Sequence, residues 1–235
     1  MGLQLPVGVS EAILAVSAGR TSTTTMKVEL HLHTSRYSAC SIDTPETLMS
    51  ELIASGYEAV YITEHDAVWS ESNIAELQKE FPEILIFPGV ELSLGIHASM
   101  HMVVLGTSDP QYAALRYDQA SALEKAQSHG NLTILAHPFR WAGGAALLDR
   151  WLLPDALEFR TGNHDAVMAE KSRREAERLG IRLVNCGDIH ALEMINKFWI
   201  ETHVPLREAN DIHDIIVNGQ YDLCIRKSTD PHENR

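Results

Sequence analysis

Cysteine is scarce: Cys40, Cys186 and Cys224 are odd in number, widely spaced and free of any CxxC pairing. That pattern supports neither a disulfide framework nor a thiolate zinc site, and it fits a reducing cytoplasm. Basic residues are also short, 19 Lys and Arg against 32 Asp and Glu, for a formal net charge of −13. With no basic run and no aromatic-interleaved patch, binding to extended nucleic acid is excluded. An apolar run long enough for a membrane span is missing, as are internal repeats, low-complexity segments and Pro/Gly linkers, so one soluble domain is expected from 235 residues. Residues 1–25 hold only a short apolar stretch with no basic segment before it, which reads as a disordered extension rather than a signal peptide. Met26-Lys27 opens the first strand pattern and is a candidate start of translation. A short tail is expected over residues 229–235.

From Met26 onward, short runs rich in Val, Ile and Leu alternate with longer amphipathic segments, the pattern of repeated β-α units around a mostly parallel sheet. Strands are predicted over residues 28–33, 59–63, 84–87, 102–105, 132–136, 156–159, 182–186 and 199–204, with a late run at 222–226 closing or edging the array. Helices are predicted from Thr44-Pro45 to a stop at Gly56, over residues 165–179 ending at Gly180, and over 208–217 ending at Gly219.

Histidine is the residue in excess, with twelve copies, and its placement matters more than its number. In the first strand, His31 and His33 are two residues apart and therefore aim at one point. Later apolar runs end in Glu64-His65-Asp66, Pro88-Gly89-Val90-Glu91, Ala136-His137-Pro138 and Gly187-Asp188-Ile189-His190. In β-α barrels the loops after the strands form the active face, so these residues converge in space. A lone histidine after a strand is more often structural, but this ordered set is hard to obtain by chance. Buried imidazoles and carboxylates need a compensating partner, and divalent metal supplies one.

Those motifs carry a resemblance. His31-Leu32-His33-Thr34-Ser35, Ile62-Thr63-Glu64-His65-Asp66, Pro88-Gly89-Val90-Glu91, Ala136-His137-Pro138-Phe139-Arg140 and Asp188-Ile189-His190 resemble the successive motifs of the PHP family, named from polymerase and histidinol phosphatase domains. The resemblance covers residues 26–227 and implies an α/β fold, a distorted seven-stranded β/α barrel that is TIM-barrel-like, spanning residues 26–228. It implies two or three divalent metal ions, of zinc, manganese or iron. By matched motif, His31, His33, Glu91 and Asp188 would hold one metal. Glu91 would bridge to a second held by His101 and His137, and His65 and His190 would belong to a third position. His101 is preferred to His97 because it directly precedes Met-Val-Val-Leu-Gly. The sequence departs from the family after His33, where Arg36-Tyr37-Ser38-Ala39-Cys40 carries no Asp or His. Thr161-Gly162 replaces an Asn-Gly, and Gly187 stands where Ser commonly precedes the aspartate.

The implied chemistry is hydrolysis of phosphate esters, mono- or diester, on a small metabolite or nucleotide through a metal-bridging hydroxide. Asp188 is the candidate proton acceptor, and His65 or His190 the candidate proton donor to the leaving oxygen if the third metal is absent. Arg36 and Arg140 are candidates to clamp the substrate's phosphate. Glu64 and Asp66 are expected to orient an imidazole, and Trp141, Trp151 and Trp199 to pack or wall a pocket. His129, His164, His203, His213 and His232 match no motif and are expected in surface or loop roles. The competing readings are a metal-dependent amidohydrolase-type enzyme and a noncatalytic PHP-like regulatory module. Oligomeric state is not legible at this level.

Overall fold

A computed structural model describes residues 25–95 and 99–226 of the chain. The extension and tail expected at the two ends lie outside the described residues, Thr25 apart, and so does His97. Among these residues nine strands form: β1 Met26–Leu32, β2 Ala59–Ile62, β3 Leu85–Leu94, β4 Met100–Leu105, β5 Leu132–Ala136, β6 Ala156–Glu158, β7 Arg182–Val184, β8 Phe198–Thr202 and β9 Tyr221–Ile225. Among the described residues six α-helices accompany them: α1 Pro45–Ala54, α2 Glu71–Glu80, α3 Gln111–Ala114, α4 Gln119–His129, α5 Ala166–Leu179 and α6 Asp211–Val217.

Local chemistry sets the helix ends. Thr44 caps α1 by accepting from the Thr47 N–H, Pro45 fills the first turn, and Gly56 beyond it adopts φ +79°. Asp165 caps α5 in the same way through Met168, and Gly180 ends it at φ +70°. Helix α6 begins three residues later than expected, because the Asp211 carboxylate takes the N–H groups of Arg207 and Glu208 and holds that stretch as a turn.

Strand order is β7-β6-β5-β4-β3-β2-β1-β8-β9. The sheet is not mostly parallel: the pairings β1/β8, β3/β4, β4/β5 and β8/β9 are antiparallel, and the other four are parallel. Strand β3 also runs on to Leu94, past the Pro88-Gly89 that reads as a stop. It pairs with β2 through Pro88 and with β4 from Gly89 onward. A side chain at residue 89 would place its Cβ 2.9 Å from the Val104 carbonyl, so only glycine allows that approach. Beyond β7 the chain returns to β1. The Ile189 N–H donates to the His31 carbonyl at 3.0 Å, and the His33 N–H donates to the Ile189 carbonyl at 2.9 Å. Strands β1–β7 thus make a nearly closed circuit, with the β8–β9 hairpin added along the first half of β1.

Alternation along the strands divides the core. Ala59 and Tyr61, Val103 and Leu105, and Ile134 and Ala136 join one apolar cluster shared by most strands. Their neighbours Val60 and Ile62 pack with α1 and α2, and Met102, Val104 and Leu135 pack with α4 and α5. One face of each strand therefore fills a common interior while the other meets the helices.

Candidate metal centre

The polar site extends that interior face. Glu91 lies four residues after Phe87, His101 two before Val103, and Glu158 two after Ala156, all at interior positions. His101 starts its strand rather than ending it because β4 runs antiparallel, which brings its beginning to the end of the barrel where its parallel neighbours finish. His137 and Asp188 stand just beyond strand ends with φ +28° and +48°. Such strained backbone persists where surrounding structure fixes it, and it clusters at functional sites. In β1, pairing with β2 slips between Glu29 and Leu32, and the Glu29 Oε1 accepts the N–H groups of Leu30 and His31.

Five imidazoles surround the fully buried Glu91 carboxylate. His101 Nδ1 and His137 Nε2 lie 2.8 and 3.2 Å from Oε1, while His65 Nδ1, His33 Nε2 and His31 Nε2 lie 3.0, 3.1 and 3.2 Å from Oε2. Asp188 Oδ1 is 3.4 Å from both His31 Nε2 and His190 Nδ1, and 3.5 Å from His33 Nε2. Asn163 donates to the other Asp188 oxygen. The structure therefore brings together His31, His33, His65, Glu91, His101, His137, Asp188 and His190.

This donor set suits cations. The Nε2 atoms of His31 and His33 face each other at 3.0 Å, and His31 Nδ1 is turned outward to Glu158 Oε1 at 2.6 Å. A proton on Nδ1 leaves Nε2 as a lone pair aimed inward, the arrangement that carboxylate-backed metal ligands use. Among the described residues, Glu91 Oε2 and Asp188 Oδ1 are buried and accept no hydrogen bond despite the nearby ring nitrogens. Buried anionic oxygens in that condition are costly unless a cation meets them.

The electrostatics agree. Burial would raise the Glu91 carboxyl, yet His31, His101 and His137 hold it well below the ordinary range. Asp188 is likewise raised by burial and lowered further by His31 and His33. Burial lowers His31, but Asp188, Glu91 and Glu158 push it well above the usual histidine value, and His33 and His137 rise for the same kind of reason. His190 is lowered, by burial and by His33 beside it. Without a cation, protons take the place a metal would fill.

Several partners escaped the sequence reading. Glu158 binds the His31 ring, accepts the His137 N–H at 2.6 Å and accepts from Cys186 Sγ at 2.8 Å. Glu29 holds the Gly187 N–H at 2.7 Å and, by burial, is pushed up to about 8. Both lay hidden as charged residues inside apolar runs, and their alternation with His31 or Ala156 was the available signal. His164, expected at the surface or in a loop, is buried, with its Nδ1 3.3 Å from the Phe159 carbonyl. Its loop folds inward over β6. Glu64 and Asp66 do not orient an imidazole. Glu64 accepts from the Thr34 N–H, the Thr34 hydroxyl and Trp69 Nε1, and Asp66 accepts the Ser93 N–H and pairs with Arg116. Each instead fixes a loop bordering the site.

Arg36 rests on the Trp69 ring, 4.7 Å from its centroid, and Arg140 rests 4.4 Å from that of Trp141. Trp141 in turn stands 5.1 and 5.2 Å from His101 and His137 and walls an open cleft of about 760 Å³ that Arg140 and Lys171 also line, with Asp149 and an Arg178–Glu175 ion pair.

Fold and site together define a distorted β/α barrel whose strand ends carry an imidazole–carboxylate centre. That barrel superposes with a TM-score of 0.67 on a two-domain protein from Bacteroides vulgatus containing a predicted PHP-like metal-dependent phosphoesterase, at 17% identity over 86% of this chain and 65% of that one. It is also similar to PsfC from Pseudomonas syringae (TM-score 0.58, 16% identity, 87% of this chain and 93% of that one). An amidohydrolase from Chromobacterium violaceum, with bound sulfate and no metal, gives 0.57 at 16% identity over 88% and 99%. In sequence, 68 residues are 37% identical to an error-prone DNA polymerase of Nocardia farcinica, covering 29% of this chain and 6% of the polymerase. No protein-family model matches the chain. Among the described residues, no helix is long and apolar enough to cross a membrane.

Proposed function

We propose that this protein is a metal-dependent phosphoric ester hydrolase, a phosphomonoesterase or phosphodiesterase acting on a small phosphorylated substrate. The observation that carries the reading is the gathering of five imidazoles around the buried Glu91 carboxylate, with Asp188 beside them. His31, His33, Glu91 and Asp188 would hold one divalent cation, Glu91 with His101 and His137 a second, and His65 and His190 a third. Such cations lower the pKa of water and neutralise developing negative charge on a phosphoryl group.

The chain's own residues supply the rest. Asp188, kept ionised by its imidazole neighbours, accepts a proton from the attacking water. Of the two candidate donors to the leaving oxygen, His190 is the weaker, because burial and His33 favour its neutral form and its Nδ1 is engaged with the Asp188 carbonyl at 2.9 Å. His65 takes that role when the third position holds no cation. Arg140 stands in the cleft beside Trp141 with no ion-pair partner among the described residues, which leaves its forked donors for a phosphate. Arg140 and the neighbouring Lys171 favour phosphate esters over amides.

The test is a substrate panel run on protein reconstituted separately with zinc, manganese and iron. Turnover of phosphomonoesters or phosphodiesters, lost on chelation and restored by metal, is expected. Cleavage confined to amides, or none with any metal, would refute the phosphoesterase assignment.

A further inference from the structure

The departure at residues 36–40 has a structural answer. Where the family resemblance leads one to expect an Asp or His after His33, the chain instead brings a thiol. One ligand atom each from His33, Cys40, His65 and His190 lies within 4.8 Å of all the others. The rings of His65 and His190 both stack on the His33 ring, at 4.4 and 4.3 Å, and lie 6.1 Å from each other. Cys40 is exposed, whereas Cys186 is buried against Glu158.

The loop that carries Cys40 is fastened to those same three histidines. Two residues before it, Ser38 Oγ accepts the His65 N–H at 3.1 Å and sits 3.2 Å from His33 Nδ1. One residue after it, Ser41 Oγ lies 3.0 Å from both the His33 and the His190 carbonyls, and the Ile42 N–H donates to His190 O at 3.2 Å. A thiol held between two such anchors is positioned, not merely nearby.

We propose that Cys40 is a metal ligand, its thiolate completing with His65 and His190 a cation site beside His33. Binding replaces the S–H bond with a sulfur–metal bond, and the proton leaves to solvent. A site of imidazole and thiolate prefers zinc or iron to the harder manganese or magnesium, so this position differs in metal preference from the carboxylate-rich pair around Glu91. The proposal rests on the metal-centre reading above.

The test uses the full chain loaded with cobalt(II), whose bond to a thiolate gives a near-ultraviolet sulfur-to-metal absorption. The band is expected in the unaltered protein and in Cys224→Ser, and its loss is expected in Cys40→Ser together with one equivalent of cobalt. Cys40→Asp is expected to regain the ion without the band, and far-ultraviolet circular dichroism checks that each variant folds. Cobalt bound with no band, or a band that survives in Cys40→Ser, would overturn the thiolate ligand while leaving the Glu91 centre in place. Failure of the unaltered protein to bind cobalt at all would remove both.

Discussion

Glu91 is the residue on which the site turns, because its two oxygens face two different sets of imidazoles. Glu91→Gln keeps the size but removes the charge and one acceptor. It should cost more than the roughly 10- to 100-fold that loss of an outer hydrogen-bond partner costs in metal affinity. Glu158→Gln tests that outer role: metal affinity should fall by about 10- to 100-fold, measured by competition with a chromophoric chelator. An unchanged affinity would mean that Glu158 does not orient His31. Arg140→Ala should raise the KM for phosphate esters while leaving metal content as it was. An unaltered KM would remove Arg140 from substrate binding.

At the scale of elements, the motifs were legible because apolar runs break off into polar residues where strands meet the open end of a barrel. The nine strand positions and the caps of α1 and α5 followed from periodicity and from Thr44, Asp165 and the terminal glycines. Strand direction did not follow, since an antiparallel β4 has the same composition as a parallel one. Nor did the extent of β3, because Pro88 needs no N–H partner there and Gly89 serves close packing rather than a turn. The residues that back the imidazoles, Glu29 and Glu158, were concealed by strands that are otherwise apolar. The turn after β7 makes a sharper point. A Cβ at Gly187 would sit 2.4 Å from Ile189 Cγ1 and 2.9 Å from Glu29 Oε2, so the serine that the family resemblance leads one to expect here does not fit this chain. Gly187→Ala should cost about 1–3 kcal/mol by overpacking, read as a lowered Tm, and should weaken metal binding through Asp188. A variant as stable as the parent would show that the turn yields easily.

For the whole molecule, the net charge of −13 sets a problem that bound cations would solve, since an anionic protein must reverse its local sign to receive the proposed phosphate substrate. The same balance predicts a pH response. In metal-free protein, His31, His33 and His137 are raised, so their contribution is full below the ordinary histidine value of 6.5 and is lost as pH climbs through their folded values. Glu29, raised from 4.5 to about 8, acts in the same direction over that interval. Glu91 and Glu158 are lowered, so their contribution is present above 4.5 and is lost as pH falls through their folded values. Metal-free protein should therefore be most stable between these ordinary values, with Tm declining as pH rises above 6.5. Cations bind deprotonated imidazoles, so the Tm difference between loaded and chelated protein should widen over the same rise. A difference independent of pH would contradict the placement of metal among these rings.

Anomalous X-ray scattering from crystals of zinc-loaded protein, recorded on both sides of the zinc absorption edge, addresses the centre directly. The account predicts peaks against both Glu91 oxygens, enclosed by His31, His33, His101, His137 and Asp188. A map without peaks there, with the rings hydrogen-bonded to the carboxylates as a closed ionic network, would contradict it.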